Sequence, residues 1–165
     1  MINKFNNNNF NEIYWHDSRL ICINFNQTEH SNIILLMDIV IESHPNIDSN
    51  SLNDYTLIMQ PALVKFLYVT EAKFNLNWDG GKIIEPTLAY IERKKSNFTN
   101  KIDETVFYNY LIEFRDEGNI NLINVPSFEM IMLDKPIVYT GEDDYISRRN
   151  DVLKNNFDII WNFRI

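Results

Sequence analysis

Trp15-His16-Asp17-Ser18 is the run in this chain whose residue types could do chemistry. An imidazole beside a carboxylate can work as an acid/base pair or supply metal ligands, and Asp38 and Glu42 are further carboxylates that could join them. The competing reading is structural. Short polar side chains placed just before a strand commonly hydrogen-bond nearby amides and tie the backbone down. Adjacent His16 and Asp17 would also point to opposite faces if the strand reached back that far. Three histidines spread over the first 44 residues, without a His-Glu-x-x-His element, make a poor metal signature. No catalytic residue, metal or cofactor is therefore expected, and His16, Asp17, Ser18, Asp38 and Glu42 stand as binding candidates.

The elements that must position this cluster are two apolar strands. Residues 19–26 alternate, with Ile21, Ile23 and Phe25 on one face, and residues 32–42 carry Ile33, Leu35, Met37, Ile39 and Ile41 at the same period of two. Residues 27–31 form a polar connection of hairpin length. Pairing Phe25 with Ile33 sets Ile23 against Leu35 and Ile21 against Met37, so that one face is apolar throughout. On the other face the register sets Leu20 against Asp38, Ser18 against Val40 and His16 against Glu42. Asp38 interrupts an apolar run and must be partnered or exposed, because a bare buried carboxylate costs several kcal/mol. Cys22, the only cysteine, faces Leu36 in this register and reads as a packed thiol.

Composition narrows the class. A chain of 165 residues with 45% hydrophobic and 23% charged residues suits one globular domain spanning 1–165, with an Asn-rich, loosely ordered start over 1–13. No apolar stretch is long enough for a transmembrane helix, and Asn6 to Asn9 interrupt the place where a signal peptide would have its apolar core. The cytoplasm is the expected compartment, with no membrane partner. A net charge of −8 argues against nucleic acid and favours a basic partner. The basic run Arg93-Lys94-Lys95 is too short to change that.

Strand patterns dominate the rest. Tyr55 to Met59 and Ala62 to Val69 read as two strands after a loop over 43–54, and Phe74-Leu76-Trp78 alternates before the hairpin turn Asp79-Gly80-Gly81-Lys82. An extended segment from Thr87 to Arg93 precedes a polar loop to Asp103. Val106 to Phe114 alternates, and pairing Phe114 with Ile120 sets Ile112 opposite Leu122. Phe128, Met130 and Met132 mark another strand before Pro136. Thr140 can cap a helix over 142–155 with the stripe Tyr145, Ile146, Val152 and Leu153. The expected fold is mainly β, an antiparallel sandwich or strongly bent sheet with a C-terminal helix. Tyr108, Tyr110, Phe114, Phe74 and Trp78 could line a ligand cleft, although aromatics at period two more often form a core.

The succession of Trp15-His16-Asp17-Ser18, a short alternating strand, a long apolar strand, Ala62 to Val69 and Asp79-Gly80-Gly81-Lys82-Ile83-Ile84 resembles a loose group of small bacterial proteins. That group opens with an aromatic-His-Asp-small motif and includes immunity families encoded beside polymorphic toxins. The resemblance covers residues 14–91, and its sharp element is His16-Asp17-Ser18. It implies a binding protein that occludes a cognate toxin and carries over no catalytic residue; the net charge of −8 suits a basic toxin. An acidic binding patch would draw on Asp116, Glu117, Glu142, Asp143 and Asp144, the densest acidic positions, at a turn and a helix start. Two other readings stay open, a small-molecule-binding β domain and, ranked last, a metal-dependent hydrolase.

Overall fold

Successive side chains of a strand point to opposite faces, so the nearly continuous apolar run from Ile33 to Ile41 needs cover on both sides. The computed structural model, which describes residues 4–26, 31–45, 55–77, 86–100, 102–140 and 145–161, provides it. The strands are β1 (Lys4–Asn6), β2 (Arg19–Asn26), β3 (Asn32–Pro45), β4 (Tyr55–Leu67), β5 (Glu71–Leu76), β6 (Leu88–Thr99), β7 (Val106–Phe114), β8 (Gly118–Val125), β9 (Ser127–Met132) and β10 (Ile137–Thr140). Among the described residues a single helix, α1, spans Tyr145–Trp161, and one 3-10 turn spans Phe10–Glu12. The larger antiparallel sheet runs β1-β9-β4-β3-β2, with β10 also on β4, and the smaller runs β5-β8-β7-β6. The chain is mainly β, a two-sheet sandwich with a C-terminal helix.

Between the sheets lies the main core. Ile33, Leu35, Met37 and Ile39 of β3 and Val64 and Phe66 of β4 meet Tyr110, Ile112, Phe114, Ile120 and Leu122 of β7 and β8. The other face of β3 presents Ile34 and Leu36, which pack with Ile21, Leu63 and Val152 of α1. Asp38 falls on that outer face, 1% exposed, and Arg148 of α1 grips it with two bonds, Nε to Oδ2 at 2.5 Å and Nη2 to Oδ1 at 2.8 Å. The partner that Asp38 requires is therefore the helix itself.

Several sequence expectations are corrected. The β2–β3 register holds from Cys22↔Leu36 to Phe25↔Ile33, but a bulge between Leu20 and Cys22 shifts the remainder. Leu20 then meets Met37, Arg19 meets Asp38, and Ile21 joins the outer cluster beneath α1. Phe25, expected in the core, is 52% exposed because it stands at the sandwich rim, where it meets the edge of Phe74 at 5.2 Å. The expected break between Met59 and Ala62 is absent, and β4 runs straight through Pro61. Proline has no N–H to give, and Pro61 sits where the neighbour of β4 changes from β10 to β9. Its carbonyl accepts from Leu133 N–H at 2.7 Å, and the Gln60 amide donates to the carbonyls of Leu133 and Asp134 at 3.0 and 2.8 Å, which closes the seam.

Within the Asn-rich start, residues 4–13 contribute to both a sheet and the core. β1 pairs with β9, Phe10, Ile13 and Trp15 enter the main core, and the Asn7 side chain accepts from Phe128 N–H while donating to the Pro126 carbonyl. β3 continues to Pro45, so residues 43–45, expected in a loop, are strand. β6 extends to Thr99 rather than stopping at Arg93, since a polar sequence can occupy a sheet edge. In β7–β8 the turn is tighter by two residues. Ile112 meets Ile120 and Tyr110 meets Leu122, because Gly118, at φ 105°, reverses the chain directly after Arg115–Glu117. The helix is described over Tyr145–Trp161 and so continues beyond the expected end at 155; its expected first residues, 142–144, lie outside the described residues. Trp78 and the turn 79–82 lie outside the described residues. Among the described residues, no helix is long and apolar enough to cross a membrane.

Candidate functional site

Trp15 anchors the site from below. Its ring lies in the core, 5.4 Å from Phe10 and 6.1 Å from Phe128, and the chain then turns sharply, with Ser18 N–H donating to the Trp15 carbonyl. The turn requires Asp17 in the left-handed region at φ 62°, a conformation that Asp tolerates better than most residues. From there the backbone joins the two sheets. Asp17 N–H donates to the Leu88 carbonyl at 3.0 Å, Leu88 N–H to the Ser18 carbonyl at 2.7 Å, and Leu20 N–H to the Pro86 carbonyl at 2.9 Å. On the far side of the same short segment, Arg115 N–H donates to the Thr87 carbonyl at 3.0 Å.

Ser18 parts company with His16 and Asp17. Ser18 is fully buried, and its Oγ accepts from Val40 N–H at 3.2 Å, so Ser18 lies beside Val40 through its side chain although the bulge has shifted the expected register. Asp17 turns outward. Its Oδ2 accepts from His16 Nδ1 at 2.7 Å and its Oδ1 from the Arg115 guanidinium. A carboxylate only accepts, so this contact places a proton on Nδ1. His16 and Arg115 are each about half exposed, and the exposed ring of Tyr14 lies 6.2 Å from the imidazole. Tyr14, His16, Asp17 and Arg115 thus form one surface row on a backbone pinned to both sheets, with exposed Asp116 next in the chain.

The other candidates do not converge on this row. Glu42 is exposed and bonds His44 Nε2 at 3.0 Å rather than His16, while Asp38 is consumed by Arg148. The expected neighbourhood of His16, Ser18, Asp38 and Glu42 is therefore corrected: the bulge and the turn at Asp17 shift His16 and Ser18 out of the expected register, while Asp38 goes to Arg148 and Glu42 to His44. Among the described residues no three His, Cys, Asp or Glu side chains are grouped to hold a metal ion. Glu117, expected as an exposed acid, is 8% exposed; its carboxylate accepts from Asp116 N–H and its carbonyl from Asn77 N–H. Glu142, Asp143 and Asp144 lie outside the described residues.

Tyr110 and Phe114, read as possible cleft walls, are buried core. Burial pushes the Tyr110 phenol up to about 12, and its hydroxyl bonds Asn7 Oδ1 at 3.4 Å. Tyr108 is half-buried under the Arg93 guanidinium at 4.7 Å. Cys22 pairs with Leu36 as expected, and burial raises its thiol above the ordinary value, which disfavours the reactive thiolate.

Two important residues were missed from sequence. Arg148 carried a signal, since it lies four residues before Val152 and so shares the apolar stripe of α1. Arg115, 98 residues from Asp17 in the chain, carried none. No family model, curated protein or solved structure matches this chain.

Proposed function

We propose that this chain is an immunity-type binding protein, acting in the cytoplasm, that neutralises a cognate toxin by covering it with the row Tyr14, His16, Asp17, Arg115 and Asp116. The observation that carries the reading is preorganisation. Asp17 holds an imidazole on one side and a guanidinium on the other, and three interstrand backbone bonds at Asp17, Leu88 and Arg115 hold the chain beneath them. Tyrosine and arginine are among the residue types that dominate interface energetics, and groups fixed before association lose less freedom when a partner arrives. The resemblance of residues 14–91 to immunity families supports the same reading. The charge of −8 favours a basic toxin, whose encounter it would accelerate.

Co-expression with the product of the adjacent gene tests this directly. The expected result is that the chain relieves the toxicity of that product, and that Tyr14→Ala with Arg115→Ala weakens the complex by about tenfold or more, equivalent to about 1.4 kcal/mol. A non-toxic neighbour, or toxicity that this chain does not relieve, removes the reading.

A further inference from the structure

The opposite end of the β6–β7 hairpin carries a surface that the row at Asp17 does not use. β6 has 12 residues at about 3.3 Å each, so the hairpin tip lies about 40 Å from Leu88. There Ile102 is 93% exposed, beside the part-exposed Phe98 and Val106. The described residues of the tip nonetheless make short-range bonds of their own. Asn100 Oδ1 accepts from Ile102 N–H and Asp103 Oδ1 from Thr105 N–H, each at 3.1 Å, and the Phe98 and Phe107 rings meet edge to face at 4.8 Å. Between the two arms runs an open groove of about 330 Å³, walled by Phe98, Val106 and Phe107 and rimmed by Lys95, Asp103 and Glu104.

An apolar knob, an apolar groove and, among the described residues, a cation and two anions thus occupy one small surface. Two-fold association needs this kind of self-complementarity, because each patch must meet its own copy. We propose that the hairpin tip is a self-association surface whose occupant is the tip of a second copy, with Ile102 of each chain in the groove of the other and Lys95 facing Asp103 and Glu104. Pairing along the outer edge of β6 is disfavoured, since Lys94, Lys95 and the irregularity between Lys95 and Thr99 guard that edge. Copies charged −8 repel, so the association is weak and fast. It leaves the row at Asp17 outward on both copies, and it stands or falls independently of the toxin reading.

Sedimentation equilibrium of the full chain, loaded up to the millimolar range, tests it. Wild type is expected to show a monomer–dimer equilibrium that Ile102→Asp weakens by about tenfold or more. Lys95→Glu and Glu104→Lys should each weaken self-association, and mixing those two variants should restore a mixed dimer. Restoration requires both variants to be folded, so it also serves as the folding control. A wild type that stays monomeric throughout, charge variants that associate as wild type does, or a mixture that fails to restore the dimer would each overturn the proposal. So would a monomeric wild type that instead binds phosphatidylserine–phosphatidylcholine vesicles through Ile102.

Discussion

The β6–β7 ribbon is closed at one end by Leu88 and Arg115 and at the other by Ile102, and the two ends are built on different physics. At the first, the segment 86–88 is bonded on one side by Asp17, Ser18 and Leu20 and on the other by Arg115, while Gly118 turns β7 into β8 close against β5. At the second, the two arms mostly hold each other. The link out of the tip is the Ser96 hydroxyl, which donates to Asn124 Oδ1 at 2.6 Å. One end spends its polar groups on joining two sheets, and the other leaves apolar side chains in water on a braced loop. Side chains at the clasped end should therefore govern stability, and those at the tip should govern association.

The largest effect that can break this contrast is at Gly118. A Cβ built there would lie 1.9 Å from the Asn75 carbonyl oxygen, a backbone atom, and φ of 105° is itself strained for an L side chain. Gly118→Ala is expected to destabilise the chain by about 3–5 kcal/mol, near the upper end for single substitutions. Denaturant unfolding that shows a loss below about 1 kcal/mol would mean the clasped end is looser than its bonds imply.

A smaller test lies at Ser18. Removing the hydroxyl in Ser18→Ala leaves Val40 N–H without its acceptor in a fully buried place, at a cost of about 1–3 kcal/mol. The exposed ion pair between Asp17 and Arg115 is expected to contribute less, because such pairs are typically worth under about 1 kcal/mol. Comparing Ser18→Ala with Arg115→Ala by thermal unfolding ranks the buried bond against the surface one. If Arg115→Ala costs more, the row at Asp17 is a structural clasp before it is a binding face.

This asymmetry also explains what was legible in the sequence. The sandwich class followed from period-two alternation, and the partner of Asp38 was required by its position among apolar neighbours. The second cover on β3 was legible too, because Ile33 to Ile41 is apolar at nearly every position and not at every second one; reading only the alternation hid the role of Ile21 and of α1. The continuous β4 was not legible, since Pro61 is tolerated only because two other strands exchange places beside it. Nor was the union of Asp17 with Arg115, which depends on how the two sheets stack. The motif at 16–18 was recognisable as a unit, yet Ser18 turns into the fold while His16 and Asp17 stay bonded to each other at the surface, because Asp17 takes a left-handed turn that no spacing rule announces.

The smallest expected effect sits at the tip and sharpens the contrast most. Ile102→Asp replaces a side chain that contributes almost no burial, and the Asn100 acceptor for its backbone N–H is untouched, so unfolding free energy should change by no more than about 0.5 kcal/mol. The same substitution places a third carboxylate beside Asp103 and Glu104 and removes the knob from the groove, which is the change self-association cannot tolerate. Stability must be compared at a protein concentration well below the dimerisation range, since otherwise the lost dimer would masquerade as lost stability through mass action. A dilute-solution destabilisation above about 1 kcal/mol would mean that Ile102 packs against the described fold after all, and the division between a clasped end and a free end would have to be withdrawn.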